Sequence, residues 1–157
     1  MVGKEVDLIL FSVGIVYVFV FFIIILFRLV YREPIVPFLV PTLLLMSAPF
    51  EVGVSAYISQ TGQIDFFASV IFFFGLFTFM VILFHVLKER VPFMISWWSS
   101  CFSIGALTNA ALKYSIISNG LLEKGIAAIL LIAATFFMAI TFIITIRLQL
   151  KGKLLKP

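Results

Sequence analysis

Charge is scarce in these 157 residues: Asp, Glu, Lys and Arg together make up 11%, against about 25% in soluble domains. A single cysteine rules out an intrachain disulfide. There is one histidine, and no Asp falls inside any long apolar run. The acid–base pairs, nucleophile–base sets and metal-ligand clusters of an enzyme are therefore missing, so no catalytic residue, metal or cofactor is expected. What fills the chain instead is apolar: 64% of it is hydrophobic, with 20 Phe and a mean hydropathy of +1.28. A soluble globule of this size has too little interior to hide so much apolar side chain. That excludes a cytosolic enzyme, a disordered chain and a nucleic-acid-binding domain. The net charge of +4 is better explained by basic residues that gather at the cytoplasmic ends of membrane helices.

About 20 helical residues cross a bilayer core. Four uncharged runs are long enough, at 8–27, 66–84, 91–112 and 125–146. A fifth, 36–60, carries Pro37, Pro41, Pro49 and Glu51. In a helix bundle, Ser and Thr side chains can satisfy the carbonyls that prolines free. The reading is an all-α integral membrane protein. One transmembrane domain covers 1–157, with five spanning helices at about 8–30, 36–60, 65–87, 91–115 and 125–148. Gly62 and Asn119-Gly120 mark two of the turns. The first apolar run lacks a small-residue cleavage site after it, as expected of a span rather than a secretory leader.

Five crossings sort the 11 basic residues. Arg28, Arg32, Lys88, Arg90, Arg147, Lys151, Lys153 and Lys156 fall on one side, and Lys4, Lys113 and Lys124 on the other. The richer side should be cytoplasmic, which puts the C-terminus inside and the N-terminus outside.

The spans are of two kinds. The first, third and fifth are bulky throughout, as in Ile71-Phe72-Phe73-Phe74. The second holds Ser47, Ala48, Gly53, Ser55 and Ala56. The fourth holds Ser96, Ser99, Ser100, Cys101, Ser103, Gly105, Ala106, Thr108 and Asn109. Small residues let backbones approach, and small polar ones can line a watery cavity. Alternate helices would then face a central axis; tight packing alone would also use such residues.

Two segments carry a family resemblance: Ala48-Pro49-Phe50-Glu51-Val52-Gly53-Val54-Ser55-Ala56-Tyr57, and Ser96-Trp97-Trp98-Ser99-Ser100-Cys101-Phe102. Both resemble motifs of the tellurite-resistance/dicarboxylate transporter family (TehA-like), which is related to plant slow-type anion channels and fungal malate and sulfite transporters. The resemblance implies the second half of a ten-helix, five-hairpin fold. Its central pore would be lined here by the second and fourth spans. It further implies a membrane anion channel or transporter in a cell membrane, with a bacterial inner membrane expected. The transported species would be C4-dicarboxylates, inorganic anions or sulfite, or the link to tellurite would be indirect. The expected partners are those small anions, the lipid bilayer, an upstream N-terminal half and two further copies in a homotrimer. The alternative is an incomplete or accessory membrane subunit without transport activity of its own.

By the same resemblance Phe102 matches the phenylalanine that plugs the family's pore. Its helix face includes Ser99, Gly105, Ala106 and Asn109, which with Glu51, Gly53 and Ser55 are the pore-lining candidates. In a chain with 20 Phe, ordinary packing is the competing role for Phe102. Plant members have proline after this phenylalanine, where this chain has Ser103. Glu51 stands where a small or apolar residue is expected. A carboxyl inside a span should face the pore, carry a proton or pair with a base, as a proton-coupling or titratable element. It could also simply bond backbone freed by proline. Lys113 is expected to snorkel or to attract anions at a vestibule. His85 is expected at the interface, Trp97 and Trp98 as interfacial anchors, and Cys101 as a small buried residue.

Overall fold

The computed structural model describes residues 2–33 and 35–151, except for the side chains of Val2 and Lys4. The tail basic residues Lys153 and Lys156 lie outside the described residues. Among the described residues five α-helices form: α1 (Val2–Tyr31), α2 (Ala48–Thr61), α3 (Phe66–Lys88), α4 (Trp97–Ser118) and α5 (Leu121–Leu150). A 3₁₀ helix, Pro37–Met46, precedes α2. Among the described residues there is no strand. Four stretches of the described residues are long and apolar enough to cross a membrane: Glu5–Tyr31, Pro37–Thr61, Phe66–Lys88 and Leu121–Leu150. The 22 residues of α4 reach about 33 Å at 1.5 Å per residue, but its serines, threonine, asparagine and lysine make it the most polar of the long helices.

Two of the expected helices need correction. The second span, expected as one helix over 36–60, is broken at Ser47 into the 3₁₀ segment and α2. Pro41 lies inside the first piece and Pro49 in the first turn of the second. Neither has an N–H to donate, and each ring crowds the preceding turn. The narrower 3₁₀ winding rises about 2.0 Å per residue, so ten residues still cover about 20 Å. Hydroxyls meet some of the backbone: Thr42 Oγ1 donates to the Leu39 carbonyl at 2.6 Å, and Ser47 Oγ to that of Leu44 at 2.9 Å. Ser100 Oγ reaches across from α4 to the Pro41 carbonyl at 3.1 Å.

The fourth helix, expected from 91, starts only at Trp97. Pro92 disfavours helical geometry at Val91, and Arg90 sits at φ 48°. Residues 91–96 are instead a connection, closed by turn bonds from Trp97 N–H to Met94 O and from Trp98 N–H to Ile95 O, both 3.1 Å. Elsewhere turn chemistry acts as expected. Gly62 and Asn119 cap α2 and α4 in the left-handed region, at φ 67° and 54°. The Asp65 carboxylate caps α3 by accepting the Ala68 N–H at 2.9 Å. That bond, then one from the Tyr57 hydroxyl, holds the Asp65 carboxyl below the usual carboxylate range.

The helices alternate strictly in direction. α1 runs antiparallel to α2, since Ile15 lies against Gly53 and Phe22 against Phe50. α3 runs antiparallel to α2, through the Phe50–Phe74 and Tyr57–Phe67 ring pairs, and so to α4, whose Asn109 and Lys113 meet Ser55 and Ser59 of α2 in the same order; Phe72 of α3 stacks on Tyr114 of α4. α5 returns along α4, with Trp98 opposite Thr145 and Gly105 opposite Met138. α2 and α4 are therefore parallel neighbours. Arg28, Lys88 and Arg147 close the helices that run the other way, so the basic ends gather on one side. Burial follows the two kinds of helix. None of the apolar stretch of α1 is buried and 11% of that of α5, against 61% for Pro37–Thr61.

Phe50, buried completely, holds this packing together, with edge-on rings from Phe19, Phe22 and Phe74 around it. Gly75 lets α3 close on it: a Cβ there would sit 3.2 Å from the Phe50 Cβ and 3.5 Å from the Glu51 Cγ. Gly75→Leu should therefore destabilise the protein by about 1–3 kcal/mol through overpacking, read as a lower melting temperature in detergent. Gly53→Leu serves as the comparison, because only the flexible tip of Ile15 approaches within 4 Å there, at 3.7 Å.

Candidate pore face

Although α2 and α4 are the buried helices, each leaves one stripe uncovered. On α4 the stripe runs through Phe102, Ala106, Asn109 and Lys113. Phe102 and Asn109 are exposed, and Ala106 and Lys113 half-buried. Successive spacings of four, three and four residues, nearly three full turns, keep all four on one face. The other faces of α4 are shut: Ser100, Ser103, Leu107, Ala110 and Ala111 are buried. On α2 the corresponding uncovered residues are Pro49, Val52 and Ser59, with Ala56 half-buried.

Phe102 is the one ring on this part of α4, 59% exposed. It follows Trp98 by one turn, and the Trp98 indole N–H is tied to Thr145 Oγ1 of α5 at 3.0 Å. Trp97 turns the other way: its indole donates to the Pro92 carbonyl at 3.1 Å and its ring meets Phe137. Both indoles thus bond inside the protein. Cys101 is buried, and His85 is exposed at the last turn of α3.

Polar groups stitch the two stripes together. Asn109 Nδ2 donates to Ser55 Oγ at 3.3 Å. One turn on, Lys113 Nζ donates to the Ser55 carbonyl at 3.2 Å and to Ser59 Oγ at 2.6 Å. The Ser59 hydroxyl in turn donates to the same Ser55 carbonyl at 2.8 Å. The sequence names Ser55 and Asn109 as pore candidates but not Ser59. The available signal was spacing, since Ser59 follows Ser55 by one turn of the same helix.

The other candidates fall elsewhere. Gly105 turns its bare Cα toward Met138 of α5, 3.3 Å from a would-be Cβ, which lets α4 and α5 pack closely. Gly53 faces Ile15 of α1. Ser99 is half-buried and bonds to the Ser96 carbonyl at 2.6 Å. Glu51 lies off the uncovered stripe. It is 1% exposed, against Gly75 of α3, and neither carboxyl oxygen has a hydrogen-bond partner among the described residues. No group of three or more metal-ligating side chains occurs among the described residues.

The model of the voltage-dependent anion channel (SLAC1) family matches residues 4–146. The chain belongs to that family. Similar proteins include the S-type anion channel SLAH2 of Arabidopsis thaliana, 26% identical over 84% of this chain and 26% of its own length. Two uncharacterized transporters of Methanocaldococcus jannaschii, MJ0576 and MJ0762, are 25% and 24% identical. Each of those alignments covers 85% of this chain, and 42% and 43% of the relative. The chain thus spans less than half the length of the curated relatives it matches. No solved structure matches it. As a voltage-dependent anion channel family member with several long apolar helices, it is a multi-pass membrane protein. The family match takes in both of the stitched stripes, from Pro49 to Lys113.

Proposed function

We propose that this chain forms part of the wall of an anion-conducting pore, with the uncovered stripes of α2 and α4 facing the conduction path. The observation that carries this reading is the stripe on α4. The most protected helices of the bundle leave one face open, and beyond the rings of Trp98 and Phe102 that face bears small and polar residues. Lipid is a poor neighbour for Asn109 and Lys113, so further pore-wall helices are the natural cover, from an upstream half or from other copies. In this reading α4 also crosses the membrane, which makes five spans in all. Phe102 is the constriction, and the remaining passage is narrow enough for its diameter and dipoles to select anions. Bulky α1, α3 and α5 face lipid. The end rich in Arg28, Lys88 and Arg147 is cytoplasmic by the positive-inside rule, and the C-terminus with it.

Water access tests the assignment directly. In a Cys101→Ala background, Ala106→Cys and Asn109→Cys in intact membranes should react with a charged, membrane-impermeant thiol reagent. Phe136→Cys, exposed on the bulky α5, should not. Equal inertness of all three positions would remove the pore from this face.

A further inference from the structure

The uncovered face of α4 offers an ammonium that the fold positions without neutralising. Lys113 is the only basic residue on α2 and α4, and the only acidic one, Glu51, is buried toward α3. Both acceptors of the Lys113 ammonium are neutral, the Ser55 carbonyl and the Ser59 hydroxyl. They occupy two of its three N–H groups, and among the described residues the third has no acceptor. The Asn109 amide, one turn away on the same face, likewise spends one N–H on Ser55 Oγ. Asp65, the carboxylate at the far end of the α2–α3 turn, is engaged by the Tyr57 hydroxyl and the Ala68 amide.

A lysine that merely snorkels extends along its own helix toward the headgroups. Lys113 instead reaches across to the backbone of a neighbouring helix. Two hydrogen bonds immobilise its flexible stem, so the ordering cost is met before any ligand arrives. Its charge is left to act on whatever occupies the uncovered face, where field lines are focused by low-dielectric walls.

We propose that Lys113 and Asn109 form a binding station for a small monovalent inorganic anion of the chloride or nitrate kind, held by the third ammonium N–H and the second amide N–H. This rests on the pore reading of the same face. One fixed positive charge matches one negative charge; a C4-dicarboxylate would bring a second carboxylate with no cation on α2 or α4 to meet it. The station lies eleven residues beyond Phe102, about 16 Å along the helix, so it concentrates the anion on one side of the constriction rather than at it.

The test is anion binding by all 157 residues in neutral-lipid nanodiscs, read as saturable broadening of the chloride NMR line. Wild type should broaden the line saturably. Lys113→Met should weaken binding about tenfold, the weight of one charge-assisted hydrogen bond. Lys113→Arg should largely restore it. Lys124→Met, a basic residue bonded to Asn119 in the α4–α5 turn, should change nothing. Nitrate should displace chloride, and succinate at equal concentration should not. Identical binding by wild type and Lys113→Met, or displacement by succinate as effective as by nitrate, would overturn the proposal. Thiol access at Ala106 and Asn109 is read independently. Accessible cysteines with no Lys113-dependent binding would remove the station and leave the pore standing.

Discussion

Phe102→Ala is expected to raise basal anion conductance severalfold in the assembled channel, with surface expression unchanged. The ring is 59% exposed on the uncovered stripe of α4, so truncating it vacates volume on the face proposed to line the pore without opening a hole in the packed core. The core on the opposite faces rests on Ser103, Leu107 and Ala110, all fully buried. A phenyl ring in a narrow apolar passage blocks by volume and by excluding water. Phe102→Leu should have a smaller effect, because a branched aliphatic side chain still fills part of that space. Phe93→Ala, in the connection before α4, is the control and should conduct like wild type. Equal currents from wild type and Phe102→Ala at matched expression would move the constriction elsewhere, with the α2 stripe at Pro49 and Val52 the next place to look.

Glu51 predicts the opposite kind of result, a loss of the fold rather than a gain of current. Its carboxyl is buried between α2 and α3 with neither oxygen hydrogen-bonded among the described residues. A fixed charge placed in so buried a position has no counter-ion among the described residues to stabilise it. Glu51→Lys should therefore cost several kcal/mol, enough to abolish recovery of folded protein from the membrane. Glu51→Gln keeps the shape with a neutral amide and should melt within a few degrees of wild type in detergent. A Glu51→Gln protein as unstable as Glu51→Lys would show that the carboxyl itself, and not its bulk, is needed at this position.

The 64% apolar composition and the lengths of the uncharged runs were enough for the class, since nothing but a bilayer accommodates so much exposed hydrophobic surface. The contrast between bulky and small-residue spans also anticipated which helices would be buried, because small side chains permit the close approach that burial requires. Phe102, Ala106 and Asn109 were legible as one face from helical periodicity alone. The break at Ser47 was only half legible. The prolines announced an irregularity, but not whether the chain would kink, unwind or narrow to 3₁₀, nor that the Ser100 hydroxyl of another helix would reach the Pro41 carbonyl.

Glu51 and Lys113 were decided by tertiary structure. A sequence gives the spacing of residues on a helix, but not which neighbour each face meets. The rotation of α2 that sets Phe50 among three rings carries Glu51 against Gly75 and away from the uncovered stripe. The same packing sets Ser55 and Ser59 within reach of Lys113, 54 or more residues further along the chain. Composition sufficed to put the chain in the membrane because transfer from water is a property of each side chain separately. What each polar group does there depends on its partners, and only the packed helices supply those.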